Sequence, residues 1–333
     1  MRRRGLIIVA AIAVAAIAIA AARHSSHTTP VARARLPFAV GFNESLAQTH
    51  HLADADAWQR LIDLDARLHR DVGSTVLRTV LHWNGTERER GRFDFSVPDE
   101  LVARYGAQGV RILFVLDGVP GWARRIADWR TFVAAVARRY TGRIVGVDVF
   151  NEPNYTATPI APARYVRLLC AAHEAAAGRI RIGGGALANG PTLAPYLTAI
   201  LRGGAGRCMD ALSFHPYPDI AAVASPRSSF MRTFRVVRAL RDRYARGLPL
   251  WVTETGWRAA ARPDEALQAR VLVGILHAVE RMPQHDVRLL LFHTLVGDPI
   301  APGGADYGIV DLAPGGGVRP RAAYRALTRE LRG

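Results

Sequence analysis

Short apolar runs alternate with longer amphipathic stretches along the chain from residue 37 onward. The apolar runs, which predict buried strands, are Phe38–Phe42, Val76–Leu81, Val110–Leu116, Ile144–Phe150, Ile180–Ile182, Met209–Phe214, Leu250–Thr253 and Val287–Phe292. The stretches with helical character are Ala55–His69, Pro98–Gln108, Asp128–Tyr140, Pro162–Ala177, Leu193–Arg202, Ser229–Arg246, Pro263–Arg281 and Pro320–Leu331. A strand followed by a helix, repeated in this way, predicts βα units around a parallel sheet.

The number of units separates two parallel-sheet folds. Eight strand–helix units within residues 37–333 predict an α/β protein with a (β/α)8 TIM barrel as its single catalytic domain. An open doubly wound sheet is the alternative, and residues 183–188 supply a nominal G-x-G-x-x-A motif for it. Residues 189–191 (Asn-Gly-Pro) interrupt the helix that would accept a dinucleotide, and no acidic residue ends a strand at the expected distance. We therefore expect no dinucleotide and no other cofactor.

Polar and aromatic side chains collect directly after the predicted strands. In a (β/α)8 barrel the carboxyl ends of all strands meet at one face, and that face carries the chemistry. The residues at these positions are Asn43, Glu44, His82, Trp83, Asn84, Asp117, Asn151, Glu152, Asn154, Asn189, His215, Tyr217, Glu254, Trp257 and His293. A functional site is expected at this face of the barrel.

Two glutamates among these residues predict a reaction. Glu152 ends the fourth strand and Glu254 ends the seventh, so a barrel places their carboxyl groups across one cleft. Cleavage of a glycosidic bond needs such a pair, because one carboxylic acid protonates the departing oxygen while the other carboxylate attacks the sugar or activates water. We expect Glu152 to carry the proton and Glu254 to be ionised.

A charged residue in a core strand supports this assignment. Arg78 lies within the second strand, where an unpaired charge would be costly, so a carboxylate partner is expected. Contact with Glu254, aided by the hydroxyl of Tyr217, would lower the pKa of that glutamate. A structural ion pair of Arg78 with Asp148 or Asp117 is the alternative.

Composition limits the possible partners. The chain has 333 residues, half of them hydrophobic, which suffices for one large domain. The formal charge of +16 would ordinarily point to nucleic acid, but all 44 basic residues are arginine, which indicates coding bias, and no nucleic-acid-binding motif accompanies them. We expect no nucleic-acid partner. The most basic stretch, within residues 229–246, is interpreted as a solvated helix face, with adhesion to an acidic polymer as the alternative.

The first residues predict export. Met1-Arg2-Arg3-Arg4 precedes an apolar run over residues 5–22, which is typical of a signal peptide or a single membrane anchor. Residues 23–36 then form a polar linker. The body of the protein is expected to lie outside the cytoplasm, secreted or tethered to the membrane through residues 5–22. In that compartment Cys170 and Cys208 could form one disulfide or remain as two buried thiols.

At this point the sequence resembles a known group of enzymes. The motifs are Asn-Glu-Pro at 151–153, Thr-Glu-Thr-Gly-Trp at 253–257, Arg78 in strand two and Ser-Phe-His-Pro-Tyr at 213–217. They resemble the retaining glycoside hydrolases of clan A, with family 39 nearest in character and family 5 next. The resemblance covers residues 38–331.

The resemblance implies a role for each motif residue. Glu152 would be the general acid/base and Glu254 the nucleophile. Asn151 would bind the 2-hydroxyl of the sugar. Arg78 and Tyr217 would hold the nucleophile in its ionised form.

The aromatic residues show one departure from the family pattern. Many clan A enzymes carry a tryptophan at the end of strand eight, beneath the sugar, whereas this chain has Phe292 and His293 there. Either of these residues or Trp257 could replace the missing platform. Trp83, Trp122 and Trp257 follow strands and are interpreted as stacking faces for sugars.

Three histidines after even-numbered strands raise the possibility of a metal site. His82, His215 and His293 lack the paired spacing of metal ligands, so they are interpreted as hydrogen-bonding groups and no metal is expected. By the resemblance, His215 would be a supporting residue of the site.

Three asparagines match the pattern for N-glycosylation. The pattern begins at Asn43, Asn84 and Asn154, all of them at strand exits. A glycan there would obstruct the predicted cleft. We therefore interpret these residues as sugar-binding or loop-capping groups.

Together these features predict a retaining glycoside hydrolase that cleaves β-glycosidic bonds in an oligo- or polysaccharide, with carboxyl groups about 5 Å apart. Two alternatives use the same barrel. One is a glycan-binding protein of the cell envelope without catalysis, and the other is a transglycosylase. The sugar and its linkage, endo or exo action and the oligomeric state are not determined by these patterns.

Overall fold

The computed structural model describes residues 36–43, 46, 54–155, 159–259, 264–283, 286–297, 306–312 and 317–333. The predicted signal or anchor segment, residues 1–22, lies outside this part of the chain, as does all but the last residue of the predicted linker, residues 23–36. No helix within the described ranges is both long and apolar enough to cross a membrane.

Eight parallel strands close into a barrel in which each strand pairs with its neighbours in sequence and the first pairs with the eighth. The strands are β1 (Ala39–Asn43), β2 (Val76–His82), β3 (Arg111–Asp117), β4 (Gly146–Val149), β5 (Ile182–Ala188), β6 (Ala211–His215), β7 (Leu250–Thr255) and β8 (Val287–Phe292). This closure confirms the predicted (β/α)8 barrel and excludes the open doubly wound sheet. A short antiparallel pair, β9 (Val310–Leu312) and β10 (Val318–Pro320), follows the barrel.

Helices surround the barrel. They are α1 (Ala55–Val72), α2 (Trp83–Thr86), α3 (Ser96–Ala107), α4 (Ile126–Tyr140), α5 (Pro162–Ala176), α6 (Leu193–Arg202), α7 (Ser229–Tyr244), α8 (Glu265–Glu280) and α9 (Ala322–Arg332). All eight predicted helices are present, and their observed ends differ from the predicted ones by at most three residues. Helix α1 shows how local sequence sets these ends. Asp54 accepts the first-turn N–H of Ala57 at 2.7 Å, and Gly73 terminates the helix in a left-handed conformation.

The fifth strand is longer than its apolar residues predicted. The expected run was Ile180–Ile182, whereas β5 continues through the glycines to Ala188. The reason is a close approach inside the barrel. A Cβ on Gly183 would stand 2.3 Å from Oδ1 of Asp148 and 2.9 Å from Oγ of Ser213, so only glycine leaves room for those groups. Because glycines occupy three of its seven positions, β5 lacks the continuous apolar run from which a strand is predicted.

The apolar core has two parts. The larger part packs the outside of the strands against the helices, as in other two-layered α/β folds. The smaller part fills the barrel and consists of Val76, Leu113, Ala211, Trp251, Leu289 and Leu291. Because five of these six residues lie in the first half of their strands, the interior is largely apolar toward the amino ends and polar toward the carboxyl ends. Trp251 of β7 is the largest side chain of this inner cluster.

A disulfide joins two elements of the outer layer. Cys170 of α5 is bonded to Cys208, which precedes β6, with their Cα atoms 4.7 Å apart. Of the two possibilities for this pair, the structure has the disulfide.

Candidate active site

The backbone at the end of β4 turns sharply to present Glu152. The strand ends at Val149, and Phe150 and Glu152 then adopt left-handed conformations with φ of 63° and 44°. Non-glycine residues rarely do so, and such conformations persist only where the surroundings fix them. Here the N–H of Glu152 donates to the carbonyl oxygen of Ala186 on β5 at 3.0 Å. The irregular backbone therefore lifts Glu152 out of the strand direction while β5 holds it in place.

Glu152 and Glu254 face one another at the carboxyl end of the barrel, as the strand order predicts. One oxygen of each carboxyl group and a ring nitrogen of His215 lie within 4.8 Å of one another. Nδ1 of His215 is 2.8 Å from Oε1 of Glu152 and 3.9 Å from Oε2 of Glu254. The histidine is fully buried, so β6 supplies a fixed polar group between the two acids. In this contact either the ring N–H donates to a carboxylate or a protonated Glu152 donates to the ring.

The surroundings of Glu254 favour its ionised form. The hydroxyl of Tyr217 donates to Oε1 at 2.6 Å, and Nη1 of Arg78 is 3.4 Å from Oε2. Burial opposes ionisation, but the charges of nearby His215, His293 and Arg78 and the tyrosine hydroxyl outweigh it and lower the pKa of Glu254 to about 2.

The histidine contribution depends on pH. Burial lowers the pKa of His293 below its ordinary value of 6.5, so that this imidazole is mainly neutral at pH 7. At neutral pH Arg78, which carries a permanent charge, and the hydroxyl of Tyr217 therefore do more than His293 to sustain the carboxylate of Glu254.

Arg78 connects this carboxylate to the barrel interior. Its guanidinium donates to Oδ2 of Asp148 at 3.1 Å, to Oδ1 of Asn43 at 2.8 Å and to Oδ1 of Asn151 at 2.8 Å, in addition to its contact with Glu254. Of the three partners considered from sequence, Glu254 and Asp148 are therefore bound by the same side chain. The contact with Asp148 is the shorter, and both groups of that pair are buried.

Two adjoining cavities open beside these residues. The smaller, of about 370 Å³, is lined by Arg78, Asn151, Glu254 and His293, together with His82 and Asp117. The larger, of about 740 Å³, shares Asn151 and Asp117 with the first and extends toward the starts of α4 and α5. A cleft of this size next to two carboxyl groups has room for more than one sugar ring.

The predicted aromatic platforms lie in different environments. Trp83 is only 3% exposed, its ring stacks on Phe132, and its Nε1 donates to Glu87 at 2.7 Å. Trp83 belongs to the short helix α2 and packs largely inward, although it also lines the larger cavity, so its interpretation as a stacking face for sugars stays a prediction. Trp122 is half-buried beneath the guanidinium of Arg90, 5.2 Å from the ring centroid.

On the opposite side of the site, half-buried Trp257 follows β7, and His293 follows β8 in place of the family tryptophan. The ring of His293 lies 5.2 Å from that of Tyr307, which in turn contacts the ring of Tyr217 edge to face at 5.5 Å. Tyr307 was absent from the predicted site residues. It comes from the segment after β8, and no local pattern places that segment against β6 and β7.

Three polar residues that the sequence analysis named without a catalytic role also support the site. Asp148 anchors Arg78 and also accepts the hydroxyl of Ser213 at 2.6 Å. A buried acid in a core strand opposite a buried arginine in another was the available signal. Asn43 binds Arg78 and donates to the carbonyl oxygen of Thr253 at 2.9 Å. Asn154 bonds both backbone groups of Ala188, so among the three asparagines it fits the loop-capping interpretation.

The site also contains ligand types that metals use. Within the described part of the chain, Glu152, His215 and Glu254 could together contact one ion. The guanidinium of Arg78 already approaches Glu254 and competes with a cation for the same charge. This arrangement favours two carboxyl groups used directly in chemistry.

Comparisons with known proteins bear on the fold. The sequence matches no protein-family model. Among solved structures, a family 39 glycoside hydrolase from the gut symbiont Bacteroides cellulosilyticus WH2 is similar, with a TM-score of 0.68, 18% identity and coverage of 88% of this chain and 63% of that chain. The exo-β-1,4-mannosidase Op5Man5 from Opitutaceae bacterium strain TAV5 is also similar, with a TM-score of 0.64, 16% identity and coverage of 89% of this chain and 59% of that chain.

A third similar structure is the GH5_18 protein from Streptomyces cattleya in complex with GlcNAc. Its TM-score is 0.68 at 16% identity, and the match covers 90% of this chain and 80% of that chain. The chain thus has the barrel of clan A glycoside hydrolases of families 39 and 5, as its motifs indicated. It spans less than two thirds of the first two proteins, and at 16–18% identity these likenesses establish the fold alone.

Proposed function

We propose that this protein is a retaining glycoside hydrolase that cleaves β-glycosidic bonds by double displacement, with Glu254 as nucleophile and Glu152 as general acid/base. The separation of the two carboxyl groups carries this proposal. One oxygen of each lies within 4.8 Å of the other, which agrees with the roughly 5–5.5 Å of retaining enzymes better than with the roughly 6.5–9.5 Å that leaves room for water in inverting ones. The glycoside hydrolase neighbours of the fold agree with it.

In the first step, a carboxylate oxygen of Glu254 forms a bond to the anomeric carbon while the bond from that carbon to the leaving oxygen breaks. Glu152 transfers its proton to the leaving oxygen. The low pKa of Glu254 keeps the attacking oxygen unprotonated over the whole neutral and mildly acidic range. Arg78 and Tyr217 hold its two oxygens and thereby fix the angle of attack.

In the second step, water replaces Glu254 at the anomeric carbon. Glu152, now ionised, takes a proton from the water, and the glycosyl ester breaks to return the carboxylate of Glu254. Asn151 assists from beside the acid. Because its Oδ1 accepts from Arg78, its amide N–H groups point away from that contact and can donate to a sugar hydroxyl.

Azide tests the two roles separately. Glu254→Ala should abolish turnover of an aryl β-glycoside, and added azide should attack from the vacated side to give a glycosyl azide of inverted configuration. Glu152→Ala should slow turnover about 10²–10⁴-fold, and azide attacking the glycosyl ester should give the retained azide. NMR of the anomeric protons distinguishes these products. Retained product from Glu254→Ala would contradict the assignment. Intact β-glucosides, β-mannosides and β-xylosides after incubation with unaltered protein would instead favour a glycan-binding role.

We further propose that the barrel acts outside the cytoplasm, secreted or tethered through residues 5–22. The charged and apolar start of the sequence and the Cys170–Cys208 disulfide support this location, since such bonds persist mainly in oxidising compartments. Fusion of residues 1–36 to a reporter that is active only after export tests it, with Arg2, Arg3 and Arg4 replaced by glutamate as the control. Lack of export by the unaltered segment would contradict the proposal.

A further inference from the structure

The larger cavity lies next to the smaller one, which Glu254 lines, and the mechanism above does not use it. It has a volume of about 740 Å³ and meets the smaller cavity at Asn151 and Asp117. Its walls come from the start of α4 on one side and from the start of α5 on the other. A glycan bound with one sugar between Glu152 and Glu254 would place a neighbouring sugar in this space.

Arginines line both walls of this cavity. Arg124 and Arg125 stand at the start of α4, while Arg164 and Arg167 lie three residues apart on α5 and so share one face of that helix. Asp117 is the single acidic residue of the lining, and its Oδ1 accepts the N–H of Gly118 at 2.7 Å. The lining therefore carries a surplus of positive charge.

Three of these guanidinium groups have no carboxylate partner among the described residues. Arg125 pairs with Asp128 at 3.1 Å, which leaves Arg124, Arg164 and Arg167. All three are exposed toward solvent. Guanidinium groups with free N–H donors on two walls of a cleft are suited to carboxylate or sulfate oxygens, which they bind in a planar two-point contact.

The arginine-rich composition does not by itself produce such groups. On helix α7, the most basic stretch of the sequence, Arg232 pairs with Asp219, and Arg238 and Arg241 both pair with Asp286. These three guanidinium groups pair with carboxylates of the fold itself, so they are not left for an acidic polymer. The cavity differs because its charges face an open space beside the reacting groups.

We propose that this cavity is a subsite for an anionic sugar, so that the substrate is a glycan with a carboxylate or sulfate on the residue next to the sugar that is cleaved. This inference rests on the proposed function, because it assigns the neighbouring position in the same cleft. The guanidinium groups of Arg164 and Arg167 bind the anion from α5, and Arg124 faces it from α4.

Binding to the Glu254→Gln protein, which cannot turn over, tests the subsite independently of hydrolysis. The probes are β-1,4-linked glucose and mannose tetrasaccharides in neutral form, with carboxylates at C6 and with sulfates at C6. Calorimetry should show at least about tenfold tighter binding of an anionic form than of its neutral counterpart. Comparison of the carboxylate probes with the sulfate probes identifies which anionic group the cavity binds.

Two pairs of substitutions localise the effect. Arg164→Gln with Arg167→Gln should remove the preference for the anion and leave the affinity for the neutral probe unchanged. Arg60→Gln with Arg67→Gln removes the same charge from exposed positions on α1 and should leave the preference intact. Arg124→Gln tests the second wall of the cavity. Thermal unfolding of each variant verifies that it is folded.

Equal binding of neutral and anionic probes, binding of none of them, or equal losses in both double variants would overturn the proposal. Hydrolysis of neutral glycosides without any anion preference would overturn the subsite alone and leave the proposed function standing. Preferential binding of the anionic probes without any hydrolysis would overturn the proposed function and leave the subsite standing.

Discussion

At the scale of single residues, Arg78 organises the site. Its guanidinium reaches Asp148, Asn43, Asn151 and Glu254, and its side chain is only 4% exposed. A lysine offers a point charge and could not make these directed contacts together. The arginine thus orients the amide of Asn151 and the carboxylate of Glu254, the proposed sugar-binding group and the proposed nucleophile, with one rigid group, while Asp148 balances its charge inside the barrel.

Tyr217→Phe isolates the hydroxyl that holds the nucleophile. In the proposed mechanism the low pKa keeps the carboxylate of Glu254 ionised above about pH 2, and we expect activity to fall as the pH drops through that value. Removing a hydrogen bond worth about 1.5–3 kcal/mol to this carboxylate should raise its pKa by about 1–2 units. The acidic limb of kcat/KM should move to higher pH by the same amount, measured with an aryl glycoside.

The remote exchange Tyr244→Phe on α7 is the matched control and should leave the limb in place. An unchanged acidic limb in Tyr217→Phe would show that the hydroxyl does not stabilise the ionised nucleophile.

At the scale of elements, β5 shapes the site because its glycines have no side chains and leave room for residues of neighbouring strands. Gly183 leaves space for Asp148 and Ser213, and Gly185 adopts φ of 104° where the register with β6 shifts. The carbonyl of Ala186 then accepts the N–H of Glu152. The strand therefore determines both the position of the arginine network and the presentation of the acid.

Gly183→Ala should disturb the site from within the barrel. The added Cβ would meet Oδ1 of Asp148 at 2.3 Å, so we expect the free energy of unfolding to fall by about 1–3 kcal/mol and kcat/KM to fall with it. Gly106→Ala is the control, because that helical glycine has open space around it and alanine there should be neutral or stabilising by up to about 1 kcal/mol. Urea unfolding and kinetics give both values. Full activity in Gly183→Ala would exclude the close approach.

Helix α1 contributes a buried polar cluster away from the site. Nε2 of His69 lies 3.7 Å from Oδ2 of Asp65, which accepts the hydroxyl of Tyr105 at 2.5 Å. Burial raises the pKa of Asp65 to about 7, against the opposing hydrogen bond of Tyr105, and burial lowers the pKa of His69 to about 3. Both shifts favour a neutral pair in the folded protein.

These two pKa shifts make the free energy of unfolding depend on pH in opposite directions. The contribution of Asp65 is complete below about pH 4 and is lost as the pH rises through about 7, whereas that of His69 is complete above about pH 6.5 and is lost as the pH falls toward about 3. Between about pH 4 and 6.5 they largely cancel.

Asp65→Asn should therefore reveal the pH dependence that His69 alone gives to the free energy of unfolding. In this variant the free energy of unfolding should rise with pH between about 4 and 6.5 more steeply than in the unaltered protein. Urea unfolding at several pH values measures the slopes. Asp56→Asn, at an exposed position of the same helix, is the control. Parallel curves for Asp65→Asn and the unaltered protein would contradict the neutral pair.

At the scale of the whole molecule, barrel closure brings together residues that are far apart in sequence. Glu152 and Glu254 are separated by 102 positions, and the contacts of Arg78 reach from Asn43 on β1 to Glu254 on β7. The outer layer adds a covalent link between α5 and the loop before β6, across 38 residues.

Replacing both cysteines by serine should lower global stability without changing the chemistry. A bond closing a loop of this length contributes about 2–4 kcal/mol, chiefly by restricting the unfolded chain. We expect the free energy of unfolding of Cys170→Ser with Cys208→Ser to fall by that amount and kcat to stay the same, since the bond does not contact the glutamates. The oxidised protein treated with reductant should match the double variant. Equal stability of the oxidised protein and the double variant would contradict a stabilising role.

Much of the fold and the centre of the site could be predicted from particular residues. The run at Val287–Phe292 coincides with β8, and Leu193–Arg202 coincides with α6, because both carry the apolar pattern of their element. Trp83 and Tyr307 could not be placed in this way. Whether an aromatic ring faces a cleft or the core depends on the path of the loop that carries it, and neither loop has a periodic pattern.

By itself the sequence determined the order of strands and helices, the barrel that this order implies, and the two glutamates at the ends of β4 and β7. It could do so because periodicity and strand ends are local properties of the chain. Only the tertiary structure decided that Arg78 binds Asp148 and Glu254 at once, that the glycines of β5 form a strand, and that unpaired arginines of α4 and α5 line a cavity beside the acids. Those features depend on distances between segments that are remote in sequence, which become defined when the barrel closes.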